Sequence, residues 1–250
     1  GCYSTAIGHQ VLENSTATGD TGNTGVGANA LQTNTSGTNN TAVGRLALCA
    51  NTTGACNTAL GANSLELNTT GSYISAVGFK SLRSSTTGSY NTAVGFCALT
   101  DNTTGANNVA VGFCALSNNT TATVNTAIGK DSMCANTTGG SNAAVGHSSL
   151  KHNTEGADNS AFGRESMYCN TTGIANVAVG HDALYANTTA GSNTAVGFCA
   201  LRSNTTGCRN IAMGDNAGAG ITTGLGNIVI GRVAGNSSLT TGSYNTLLGY

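Results

Sequence analysis

Proline and tryptophan are absent from the 250 residues, aromatic residues make up 5% and charged residues 8%. Nine Lys plus Arg against ten Asp plus Glu leave a formal net charge of −1. Such a chain has no electrostatic footprint for a phosphate backbone, so nucleic acid is excluded as a partner, and a polybasic membrane patch is missing as well. The longest apolar runs are four or five residues. That is far below the roughly 20 needed to span a bilayer, and no charged-then-apolar start marks a secretory leader. Disordered chains are poor in apolar residues and rich in charge or proline, whereas 39% of this chain is apolar, so it folds.

In place of charge and proline stand 39 Thr, 36 Gly and 31 Asn, arranged as a repeat. Asn91-Thr92-Ala93-Val94-Gly95-Phe96-Cys97-Ala98-Leu99 and Asn193-Thr194-Ala195-Val196-Gly197-Phe198-Cys199-Ala200-Leu201 are nearly one word. The glycine of that word anchors the repeat. From Gly27 to Gly231 it recurs in twelve consecutive steps of 17 residues, with a step of 19 before them and one of 18 after. The consensus is N-T-A-V-G-x-x-A-L-x-x-N-T-T-G-x-x. Seventeen residues are too few for a helical-hairpin repeat, and Gly, Asn and Thr are poor helix formers. The pattern predicts an all-β fold, a β-solenoid of about 14 coils stacked at the inter-strand distance of about 4.8 Å.

Three columns organise each coil. The residue before the anchor is always apolar, as at Val43, Val94, Ile128 and Ile230, and the residue before that is usually Ala. Neighbours in a strand point to opposite faces, so this pair predicts a strand covered on both sides, one side by the coil itself and the other by a second wall. This favours an oligomer. A second apolar column, Leu in most coils, lies four residues after the anchor and breaks at Gly218 and Gly235. The third is the Asn-Thr-Thr-Gly turn, where Asn and Thr form hydrogen-bonded ladders from coil to coil and the Gly fits a position with φ > 0. The chain begins inside a repeat at Gly1-Cys2-Tyr3-Ser4 and stops at Tyr250 just past an anchor. Residues 1–250 read as a single repeat domain, with regular coils over 27–231, and as a window of a longer fibre.

Thr92-Ala93-Val94-Gly95 followed by Ala98-Leu99, and the same words along nearly the whole chain, resemble the head of trimeric autotransporter adhesins. They are also similar to repeat regions predicted in bacteriophage tail fibres and in surface proteins of large algal viruses. The resemblance implies a left-handed β-roll in which three chains pack along a common axis. Adhesin heads use a shorter repeat, and the extra residues here fall in the Asn-Thr-Thr-Gly turn. No adhesin binding residue carries over, because the shared words are scaffold.

The expected function is therefore structural: an extracellular or virion fibre shaft or head, at a cell or virion surface, serving attachment by self-assembly as a homotrimer. Its outside partner would be a cell-surface glycan or receptor. Two alternatives stand beside it. One is an ice-binding β-solenoid presenting its Thr ladder, and the other an end-to-end stacked, glycosylated extracellular filament. No enzyme activity, metal or cofactor is expected, since acidic residues and the four histidines are scattered and no Ser-His-Asp, paired-carboxylate or metal-ligand spacing recurs.

Candidate sites are few. Phe79, Phe96 and Phe113 occupy one column on successive coils and form a candidate surface-binding stripe. The Asn-x-Ser/Thr sequons include Asn51, Asn68, Asn102, Asn136, Asn170, Asn187 and Asn204, a candidate N-glycosylation column, although coils about 4.8 Å apart would crowd neighbouring glycans. Nine cysteines, an odd number without a CxxC, leave Cys97 with Cys114 and Cys49 with Cys56 as candidate disulfides. Most of the cysteines read as thiols, which suits assembly in a reducing compartment, as for a virion fibre.

Overall fold

The computed structural model describes residues 3–16, 21–236 and 239–249, so Cys2 and Tyr250 at the expected fibre breaks lie outside the described residues. The chain divides into two compact units, Gly1–Val124 and Asn125–Tyr250, each wound from the same coil. The first unit carries strands β1 (Thr5–Ile7), β2 (Thr24–Val26), β3 (Thr41–Val43), β4 (Thr58–Leu60), β5 (Ser75–Val77), β6 (Thr92–Val94) and β7 (Val109–Val111). The second carries β8 (Thr126–Ile128), β9 (Ala143–Val145), β10 (Ser160–Phe162), β11 (Val177–Val179), β12 (Thr194–Val196), β13 (Ile211–Met213), β14 (Ile228–Ile230) and β15 (Thr246–Leu248). Within each unit successive strands pair in parallel, in chain order and in repeat register, so that Ser75, Ala76 and Val77 face Thr92, Ala93 and Val94. The β-solenoid expected from the period is the fold of both units.

Each strand shows why the word is Thr-Ala-Val. The central residue points into the coil, and Ala42, Ala59, Ala93, Ala144 and Ala195 are fully buried. The following apolar residue points out, where Val94 keeps 38% of its surface and Ile128 39%. Most coils have room for a methyl group at this inward position, so the larger side chain takes the outer face; Val229 is the larger buried residue, where Gly235 stands in the leucine column. The rest of each coil pairs with its neighbours as well. Gly95 and Cys97 donate their N–H groups back to Val77 and Phe79 (2.8 and 3.0 Å), while Leu99 and Asp101 donate forward to Ala115 and Ser117 (3.0 and 2.9 Å). Nearly the whole circumference is thus hydrogen-bonded, although only three residues per coil are regular strand.

The second apolar column fills the interior: Leu31, Leu48, Leu65, Leu82, Leu99, Leu116, Leu150, Leu184 and Leu201 are fully buried. These leucines adopt left-handed backbone conformations, φ 52° at Leu99 and 50° at Leu201. A left-handed non-glycine residue costs about 1–2 kcal/mol, and burying a leucine gains about 1.5–3, so burial wins at each coil. Gly218 and Gly235, which interrupt the column, keep its left-handed geometry at φ 58° and 61°. Leu99→Ala is expected to lower stability by about 3 kcal/mol, since it leaves a cavity and keeps the backbone cost. A denaturant unfolding midpoint that does not move would contradict this.

The turn glycine corrects an expectation. Positive φ belongs to the anchor glycines, at 140° in Gly95 and 137° in Gly163, and to residues two, four and twelve places after them, but not to Gly54 or Gly156. The turn glycine is a matter of space. A Cβ on Gly54 would run into the carbonyl oxygen of Gly71 in the next coil and into Asn51 Oδ1.

Candidate functional site

The coil interior spends its polar groups on itself. Asn51 Nδ2 donates to Asn34 Oδ1 of the coil before (2.7 Å) and to Gly54 O of its own turn (3.0 Å). Asn51 Oδ1 accepts from Asn68 Nδ2 (2.8 Å). The same ladder runs through Asn136, Asn153, Asn170, Asn187 and Asn204 in the second unit. A second ladder lies ahead of each strand, where Asn40 Nδ2 donates to Gly54 O (2.8 Å) and Asn40 Oδ1 accepts the Asn57 N–H (2.9 Å). The Gly54 carbonyl therefore receives two amide donors, one on each lone pair.

The glycosylation column meets a physical obstacle in this arrangement. Asn51, Asn68, Asn102, Asn136, Asn170, Asn187 and Asn204 are all fully buried, and each Nδ2 is already a donor to its own turn carbonyl. A glycan replaces an N–H of that nitrogen and needs open space beside it, so the folded coil and a sugar at these positions exclude each other. The sequon sees three residues and not the side on which they are packed. Asn39 and Asn118 are the sequon asparagines of regular coils that face outward.

Threonine completes the turn. Thr52 O accepts the N–H groups of Thr35, Ser36 and Gly37 (3.0, 3.1 and 3.2 Å) together with Thr35 Oγ1 (3.0 Å). The invariant Thr row is therefore half-buried, with its hydroxyl protons given to the next coil. The threonine one place later is the exposed one, as at Thr53, Thr70, Thr87, Thr104 and Thr121.

On the outer surface, Phe79, Phe96 and Phe113 are exposed and stacked, with ring centroids 5.4 and 5.3 Å apart and planes inclined by 23° and 7°. Stacking spends the ring faces on neighbours and turns ring edges to solvent, and Lys80 Nζ sits 5.1 Å from the Phe79 centroid. Sequence reasoning singled out this column and missed two others. Tyr73 stacks on Tyr90 (5.2 Å, 1°) and Tyr168 on Tyr185 (5.2 Å, 2°), with His152 edge-on to Tyr168 and the Arg202 guanidinium 5.2 Å from the Tyr185 centroid. Their signal was present: each tyrosine pair is separated by one repeat of 17 residues.

Cys49, Cys56, Cys97 and Cys114 are thiols, so neither candidate pair is a disulfide in this structure. Burial pushes the Cys49, Cys169 and Cys199 thiols up, and the nearby Glu66 and Asp182 carboxylates add to this at Cys49 and Cys199. A thiol held protonated is a poor nucleophile. A titratable cluster lies in the second unit, where Arg202 Nε donates to Asp182 Oδ2 (3.3 Å) and the His181 ring stacks on Phe198 (5.4 Å). In the first unit Glu66 accepts from Arg83 (2.7 Å). Partial burial raises the Glu66 carboxyl, but the bonds from Arg83 and Asn63 and the charges of Arg83 and Arg45 outweigh it and hold the group below its ordinary value. Both are coil-to-coil ion pairs in which an exposed arginine reaches a largely covered carboxylate. Among the described residues no three His, Cys, Asp or Glu side chains are placed to hold a metal ion, and no helix is long and apolar enough to cross a membrane. Comparison with protein-family models, curated proteins and solved structures finds no match to this chain.

Proposed function

We propose that the chain is a structural fibre element, the shaft or head of an extracellular or virion fibre, which associates with copies of itself as a homotrimer and serves attachment. The observation that carries this reading is the outward strand column. The coil interior is filled by its own Ala, Leu and Asn side chains, while Val43, Leu60 and Val94 in the first unit and Ile128, Val179 and Ile230 in the second stay between 38% and 39% exposed. A regular row of apolar side chains in water is the face for which the Ala-Val pair asks a second wall, and another copy of the same row is a self-complementary cover. Native mass spectrometry is expected to give three times the chain mass of 24.6 kDa. Val94→Lys should shift that mass to the monomer while leaving the β circular-dichroism signal intact. A wild-type monomer at micromolar concentration would overturn the reading.

A second reading, ice binding, draws on the exposed Thr53, Thr70, Thr87, Thr104 and Thr121 row. Thermal hysteresis of the purified chain separates it from the fibre, because a fibre shaft produces none.

A further inference from the structure

Four of the seven tyrosines stand in two face-to-face pairs on adjacent coils, one pair in each unit. In each pair the rings are 5.2 Å apart and within 2° of parallel. Tyr73 and Tyr90 are 57% and 59% exposed, so an oxidant reaches them from solvent. Their backbones belong to neighbouring coils, about 4.8 Å apart, so the ortho carbons of one ring face those of the other at close range and stay there. Tyr3 and Tyr244 are more exposed, at 84% and 77%, and take part in no such tyrosine stack.

We propose that Tyr73 with Tyr90, and Tyr168 with Tyr185, are oxidative cross-linking sites at which hydrogen peroxide and a haem peroxidase join adjacent coils through dityrosine. Each phenol gives one electron and one proton to the peroxidase. The two aryloxyl radicals then couple through ortho carbons, and the new carbon–carbon bond is followed by return of each ortho hydrogen to its phenol oxygen as the rings become aromatic again. One peroxide is reduced to two waters, and the protein loses two hydrogen atoms. Holding the partner ring in place is what favours this route: a radical formed at Tyr90 meets Tyr73 before it meets another chain. The Tyr73–Tyr90 pair reacts first, because Tyr168 and Tyr185 are shielded by His152 and Arg202 at the ends of their stack. The product is a covalent rung between coils, and it forms within one chain whatever the oligomeric state.

The test uses the full chain with its accessible thiols alkylated, since Cys56 lies one coil from Tyr73 in the same column and a thiol quenches tyrosyl radicals. Dilute protein, mixed from light and heavy isotope chains, is treated with peroxide and peroxidase, digested and read by mass spectrometry and by blue dityrosine fluorescence. The expected products are intrachain 73–90 and 168–185 links, each lighter by two hydrogens. Tyr90→Phe keeps an aromatic ring in the stack, and should remove the first product and leave the second. Tyr185→Phe should do the reverse. Links dominated by Tyr3 or Tyr244, links that join light to heavy chains, or no dityrosine in a tube where the same peroxidase couples free tyrosine would each overturn the proposal.

Discussion

Gly163→Ala is expected to lower stability by about 3–5 kcal/mol and to melt the coil around it, one of the largest effects of a single methyl group in this chain. Two costs coincide at that position. The backbone sits at φ 137°, in a region that L side chains rarely adopt, and a Cβ would lie 2.5 Å from the Gly180 carbonyl oxygen, which can retreat only by separating two hydrogen-bonded coils. Gly156→Ala supplies the control. Its Cβ would also crowd a neighbouring carbonyl, Gly173 O at 2.5 Å, yet its φ is ordinary and the same column already holds Ala122 and Ala190. It should cost less than Gly163→Ala, about 1–3 kcal/mol, the crowding without the backbone strain. Denaturant midpoints, together with hydrogen exchange at Gly163 and Glu165, separate the two. Equal losses would mean that space, and not backbone conformation, fixes the anchor.

Asn170→Ala should cost about 3–4 kcal/mol. The substitution removes the donor to Asn153 Oδ1 (2.7 Å) and to Gly173 O (3.1 Å), and the acceptor for Asn187 Nδ2 (2.8 Å). All of these groups are buried, and none can turn to water. The converse is already present in the chain. Where the ladder meets Ser85 instead of Asn, Asn68 Oδ1 and Ser85 Oγ have no hydrogen-bond partner, and where it meets Ile221, Asn204 Oδ1 has none. Ser85→Asn should therefore stabilise the chain by about 1–2 kcal/mol, a gain rather than the loss usual for a new buried polar side chain. A lower unfolding midpoint for Ser85→Asn would show that the Ser85 coil has closed on the missing volume and no longer admits the amide.

Much of the fold was legible because the period is strict. Anchor spacing located each strand, the Ala-Val pair marked one inward and one outward residue, and Asn-Thr-Thr-Gly announced a polar ladder. The left-handed leucines were not legible, since leucine has no preference for that conformation and takes it here only because burial at Leu99 or Leu201 outweighs the local cost. The turn glycine misled for the opposite reason: glycine suggests positive φ, but the constraint at Gly54 comes from a carbonyl 17 residues away, which a local reading does not contain. Sequons carried no warning of this burial, because Asn-Thr-Thr holds no information on which side of the backbone is packed. The tyrosine stacks were within reach, as the distance between Tyr73 and Tyr90 equals the repeat, but a search for recurring columns passes over a pair that occurs in only two coils.

In-register stacking also bears on how such a gene changes. Within either unit, an in-frame loss or gain of one 17-residue segment moves every later residue by one coil yet returns it to its own column, so Ala meets Ala, Leu meets Leu and the amide ladder closes again. Only features confined to particular coils register the event, among them the Glu66–Arg83 ion pair and the Tyr73–Tyr90 stack. Unequal recombination, which destroys most folds, here resets a length.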